Sequence, residues 1–164
     1  MAYVGVVGPG AAGARETASA HELGSGLAER GHVVLCGGLG GVMDAVAAGA
    51  RDAGGVVVGL LPGDSRADGS GHLTVTLPTG MGEMRNALLV RSSDVVVSVG
   101  GSWGTLSEVA LALRTGVPVV ALDGWQVRTA DGSEPDGPTV VPVRTVAEAL
   151  AAVDGIVGLA PGRA

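Results

Sequence analysis

Lysine is absent from this chain, and all ten basic residues are arginine. No side chain can therefore form a Schiff base with a carbonyl cofactor, and no Walker A loop can be built. Phenylalanine is absent as well, and aromatic residues make up 2% of the chain, so a core must be assembled from valine, leucine and alanine. Cys36 is the single cysteine and cannot supply a disulfide framework. His21, His32 and His72 stand without ligand spacing, which excludes a structural zinc site. A net charge of −6 without any basic run gives nucleic-acid binding little electrostatic support. No apolar run reaches the ~18 residues of a membrane span. The opening MAYVGVVGPG leads directly into a strand-like run without a charged leader region, so the expected location is the cytoplasm.

What is present is glycine, 30 of 164 residues, against a usual share of about 7%. The glycines cluster at the ends of apolar runs and follow no fibrous period. Hydrophobic residues reach 46%, enough for one folded domain over residues 1–164. Strand-like runs fall at Tyr3–Val7, His32–Leu35, Val56–Leu61, Leu73–Leu77, Asp94–Val99 and Val117–Leu122. Helical patterns fall at Glu16–Arg30, Val42–Ala53, Met84–Ser92, Thr105–Thr115 and Val146–Val153. Most of the strands are continuously apolar, as in a parallel sheet covered on both faces. The alternation predicts an α/β fold, a doubly wound Rossmann-like parallel sheet flanked by helices, with ligands at the carboxyl ends of the strands. Pro62–His72 and Gly124–Pro138 read as loops, and residues 156–164 as a candidate disordered tail. Thr145 and Glu148 have the spacing of a capping box that opens the last helix.

The most informative stretch is Gly80–Glu108, GMGEMRNALLVRSSDVVVSVGGSWGTLSE. Two glycine-rich loops open there, each followed by a helix N-terminus, a layout that suits an anionic ligand. Arg85 begins a helix, where the dipole disfavours a cation; beside a glycine loop, that placement points to ligand contact through its fork of donors. Glu108 has two readings. Thr105-Leu-Ser-Glu108 has capping-box spacing, which would make the carboxylate structural; next to Arg85 and a phosphate loop it would instead be chemical. Trp103, inside the loop Gly100, Gly101, Ser102, Trp103, Gly104, Thr105, would stack on a base, line a pocket or enter an interface.

Two earlier loops are further candidates. Gly8-Pro-Gly10-Ala-Ala-Gly13 follows a strand and matches a dinucleotide fingerprint, but strand two ends at Leu35–Cys36 without the acid that would bind a ribose hydroxyl. A phosphate- or ribose-contacting role for Gly8 and Gly10 fits better than a nicotinamide dinucleotide. Gly37, Gly38, Gly40, Gly41 and Met43 form a second loop that enters a helix. It would receive an anion or simply let helix pack on strand. Asp44 in that first helical turn would repel a phosphate placed beside it.

These residues resemble the LOG-like superfamily, long misannotated as lysine decarboxylases. The family motif PGGxGTxxE falls on Gly100–Glu108, and its catalytic arginine and glutamate fall on Arg85 and Glu108. CGGLGGVMDAV, LPTGMGEMRNALLVRSSDVVVSVGG and WGTLSEVALALRTGVPVVAL are most similar to the molybdenum-cofactor carrier branch, also described as DprA-related. The resemblance covers most of residues 3–125. It implies one of two functions. One is a nucleoside 5′-monophosphate phosphoribohydrolase, which would cleave the N-glycosidic bond of a purine nucleotide and needs no cofactor. The alternative is a non-catalytic carrier that holds the molybdenum cofactor, a phosphorylated pterin, as bound ligand. Neither reading involves nucleic acid or a membrane, and both imply a homodimer or homotetramer. The chain departs from the hydrolase pattern at four positions: Gly100 replaces the motif proline, Ser102 its second glycine, Asn86 the lysine after the arginine, and Asp44 a loop glycine.

Overall fold

The computed structural model describes residues 1–159. Seven strands and five α-helices follow one another among these residues: β1 (Tyr3–Val7), α1 (Ala14–Glu29), β2 (Val33–Cys36), α2 (Val42–Asp52), β3 (Val57–Leu61), β4 (Val75–Pro78), α3 (Arg85–Arg91), β5 (Val95–Val99), α4 (Trp103–Arg114), β6 (Val119–Leu122), β7 (Val140–Val143) and α5 (Val146–Leu159). Seven parallel strands form one sheet in the order β4-β3-β2-β1-β5-β6-β7. The chain winds outward from β1 on one side, returns to β5 on the other side and winds outward again. That is the doubly wound architecture the alternating pattern predicts, and it places the topological switch between β1 and β5.

Period two along each strand divides the core. Val95, Val97 and Val99 of β5 join Val4, Val6, Val34 and Val57 beneath α1, α2 and α5. Val96 faces the other way, with Val7, Leu89, Val109 and Val119, beneath α3 and α4. Each fully buried valine or leucine contributes roughly 1.5–3 kcal/mol, so small aliphatic side chains suffice without phenylalanine. On the first face α1 and α2 cross very closely. A Cβ at Gly24 would strike the Val46 carbonyl, and one at Gly49 the His21 carbonyl.

Four features differ from the sequence reading. α1 starts at Ala14, two residues early, because Gly13 caps it and the Glu16 carboxylate accepts the Gly13 N–H at 2.8 Å. β7 lies beyond the Gly124–Pro138 loop, and its Pro142 is tolerated because β7 is an edge strand. α5 continues through residues 156–159, where Ile156 and Val157 pack on the core, in place of the disordered tail expected there. Residues 160–164 lie outside the described residues. The fourth difference, the start of α4, bears on the site. The Thr145–Glu148 capping box forms as expected, with Thr145 Oγ1 accepting the Glu148 N–H at 3.2 Å and Glu148 accepting the Thr145 N–H at 3.3 Å.

Candidate functional site

The carboxyl ends of β1, β2, β3 and β5 converge on a cleft of about 340 Å³. Gly8 and Gly10 reach it after β1, Gly37 and Met43 after β2, Pro62 after β3, and Ser102, Gly104 and Thr105 after β5. Glu83, Arg85 and Asn86 close it from the start of α3, and Glu108 from α4. A larger hollow of about 470 Å³ lies between α4 and residues 126–142. It contains none of the residues the sequence singles out, so volume here does not mark the chemistry.

Arg85 is 8% exposed, and its Nε and Nη1 have no hydrogen-bond partner among the described residues. Its guanidinium lies against Gly37, where any Cβ would collide with it and would also come within 2.6 Å of the Met43 sulfur. Gly37 is therefore the residue that leaves room for Arg85. Burial draws the Arg85 pKa below its usual value, and the Glu108 charge partly restores it. Glu108 is also 8% exposed, and burial raises its pKa to about 7 against the opposing pull of Arg85.

The two side chains share the cleft without pairing. No ion pair within 4.0 Å joins them, and Glu108 makes no side-chain hydrogen bond among the described residues. Buried polar groups in native proteins are nearly always satisfied. Arg85 keeps two buried donors unpaired, and Glu108 faces the same cleft without a partner among the described residues, so the two leave donors and acceptors open to a third molecule.

The capping role open to Glu108 is not the one observed. α4 begins at Trp103 with Ser102 as its N-cap, and Ser102 Oγ accepts the Thr105 N–H at 3.2 Å. The early start moves Glu108 into the second turn, on the core-facing side. The N–H groups of Trp103 and Gly104 find no acceptor among the described residues, and they lie where the helix dipole is positive. Trp125 anchors this turn by donating its Nε1–H to the Ser102 carbonyl at 3.0 Å.

The other expected site residues lie outside the cleft lining. Gly38 packs on Leu61 and Gly59. Gly40 is exposed. Gly41 caps α2 beneath the Pro9 and Gly10 carbonyls, and Pro9 also accepts the Val42 N–H at 3.1 Å. The Val42 N–H at the start of α2 is thus taken by backbone, and the Asp44 carboxylate in the same turn disfavours an anion there. Asp44 turns away from the cleft to Ser70, 2.5 Å distant, and so pins the Pro62–His72 loop. Gly100 lies against the Glu16 carboxylate, and Gly101 beneath the Trp125 ring. Glu16 also occupies the N-terminus of α1 that a dinucleotide pyrophosphate would need. Trp103 is 79% exposed and packs on Trp125, with ring centroids 5.5 Å apart. Sequence reasoning passed over Pro62 and Gly82, and noted Glu83 and Asn86 without placing them in the site. Pro62 follows a strand end directly, and the others flank Arg85 within about one turn.

Three relatives bear on this arrangement. An uncharacterized protein of Archaeoglobus fulgidus is 43% identical over 122 residues, 74% of this chain and 80% of that protein. The structure of the molybdenum cofactor carrier protein from Chlamydomonas reinhardtii superposes with a TM-score of 0.84 at 34% identity, covering 96% of this chain and 98% of that one. That of the molybdenum cofactor binding protein from the phototrophic bacterium Rippkaea orientalis superposes with a TM-score of 0.83 at 31% identity, covering 95% and 97%. The family profile that describes SLOG cluster4 proteins spans residues 1–150, and the chain belongs to that SLOG cluster4 family.

Proposed function

We propose that this protein is a carrier that binds the molybdenum cofactor, or a closely related phosphorylated pterin, in the cleft between β1 and β5. The observation that carries this reading is the unpaired buried couple, Arg85 and Glu108, in a cleft large enough for a small ligand. Arg85 would supply N–H donors to ligand oxygens, and the open N–H groups at the start of α4, with Ser102 and Thr105, would receive the phosphate. The strong likeness to two molybdenum-cofactor proteins over nearly the whole chain supports the same ligand class. By the same likeness, the cofactor is cargo rather than a resident group.

The test is retention of molybdenum cofactor, released from a donor enzyme, when mixed with purified protein and passed through gel filtration. Molybdenum and pterin should co-elute with the wild type. An Arg85→Ala variant should bind about 10- to 100-fold more weakly, the usual cost of losing a charged hydrogen bond in a buried site. Failure of the folded wild type to retain cofactor would overturn the proposal.

A second reading, phosphoribohydrolase, keeps one observation in its favour: Glu108 stays unpaired beside Arg85, free to face an oxocarbenium-like centre. Asn86 and Gly100 depart from the hydrolase pattern. Release of free base from nucleoside 5′-monophosphates, lost in Glu108→Gln, would decide for it.

A further inference from the structure

We infer that Arg85 and Glu108 together read the 2-amino-4-oxo-pyrimidine edge of a ligand ring, so that the cleft selects pterin- and guanine-type rings over adenine-type rings. The inference rests on the carrier reading and names the feature of the ligand that the site recognises.

A guanidinium only donates hydrogen bonds, and an ionised carboxylate only accepts them. Here both are about nine-tenths buried, both line one cleft, and they do not satisfy each other. A ligand that quenches both must carry an acceptor and donors side by side. The 2-amino-4-oxo edge does so: its carbonyl oxygen faces the guanidinium, while its ring N–H and exocyclic amino group face the carboxylate as a bidentate pair. Pterin and guanine share this edge. Adenine instead presents an amino group and a bare ring nitrogen, and the bare nitrogen would face the carboxylate as acceptor against acceptor. Sites built around such donor–acceptor sets reject a mismatched ring strongly, because their own buried groups stay unpaired.

The rest of the cleft agrees with this assignment. Arg85 is the only cation among the described residues that line it, so if Arg85 serves the ring, the phosphate must be held elsewhere. The start of α4 provides that place: the Gly104 N–H finds no acceptor among the described residues, and Ser102 and Thr105, which line the cleft with it, add hydroxyls. A phosphate at one end and a ring edge at the other give the ligand a direction in the cleft. The unpartnered, buried Arg85 is the independent sign that the helix end belongs to a ligand site.

The experiment is calorimetric binding of GMP, IMP and AMP at pH 8.5, where the Glu108 carboxyl is ionised, to the wild type and to Glu108→Gln, alongside the cofactor-retention assay. Glutamine keeps the volume, and because Glu108 bonds to no other residue described, the substitution breaks no hydrogen bond of the fold. GMP should bind about ten- to hundredfold more tightly than AMP, the discrimination typical of one bidentate contact. IMP, which keeps the ring N–H and carbonyl but lacks the amino group, should fall between them. In Glu108→Gln the preference should shrink at least fivefold. Equal affinity for GMP and AMP, a preference unchanged in the variant, or binding of none of the three would overturn the inference. Cofactor retention by the wild type in those cases would leave the carrier reading standing. A GMP preference without retention would sink the carrier reading alone.

Discussion

A carboxyl group with no partner, buried beside a guanidinium with none, costs folding energy, and the cost has a definite pH dependence. The Glu108 pKa rises from 4.5 to about 7 on folding, so the folded state holds the proton more tightly than the unfolded chain. The contribution to stability is fully present below pH 4.5. It is lost as pH rises from 4.5 to about 7, and above that the full cost of burying the charge remains. At 1.36 kcal/mol per unit, that cost is about 3 kcal/mol. Glu108→Gln copies the protonated form, so it should be more stable than wild type at pH 8, by about 1–3 kcal/mol, and nearly equal to it at pH 4.5. Urea unfolding at the two pH values checks this. Equal destabilisation at both would mean that Glu108 serves the fold and not a ligand. Arg85 belongs to the same arrangement, since its burial also disfavours its charge. Both residues are legible in the sequence as a motif, but their lack of partners is not: it depends on where α4 starts.

At the scale of elements, the stretch Ser102–Glu108 holds two overlapping capping patterns, and the downstream one is the more conspicuous in the sequence. The structure uses the upstream Ser102 because Trp103 and Gly104 can be helical once Trp125 braces the Ser102 carbonyl. That brace comes from a distant loop, so no local pattern announces it. The loop before α4 departs from the hydrolase motif for a related reason. Gly100 has φ of +63°, and a Cβ there would run into the Glu16 carboxylate that caps α1. Proline is restricted to φ near −65° and cannot take this conformation. Restoring the motif proline with Gly100→Pro should therefore destabilise the protein by about 3 kcal/mol and confer no base release from AMP. Denaturant titration and a product assay read the two effects. An undiminished midpoint would mean that the loop accepts the hydrolase form, and that the glycine carries no information about function. The same reasoning separates the glycine loops. Gly37 gives room to the Arg85 guanidinium, whereas Gly41 lies against the Pro9 and Gly10 carbonyls at the start of α2. In the sequence the two look alike.

On the scale of the whole molecule, continuous apolar strands and their alternation with helices make the doubly wound sheet readable from the chain, and with it the position of the cleft at the switch between β1 and β5. β7 escaped the reading because a proline interrupts its short run and a long polar loop precedes it. It pairs with β6 at the sheet edge and packs against α5, and none of its residues lines the cleft. The topology also fixes how ligand and stability are linked. Residues at the ends of β1, β2 and β3 line the cleft together with residues from α3, the β5–α4 turn and α4. These come from distant parts of the chain, so a ligand that contacts Arg85, Glu108 and the start of α4 makes contacts only the folded chain can provide. Binding of that kind at a hundredfold excess over Kd adds about 2.7 kcal/mol. For a domain of this size the gain corresponds to a rise of roughly 5–10 °C in Tm. Thermal unfolding with saturating cofactor, or with GMP as a surrogate, should show this shift in the wild type and lose most of it in Arg85→Ala. A shift of the same size in both proteins would place the ligand somewhere other than this cleft, with the 470 Å³ hollow beside α4 the next place to look.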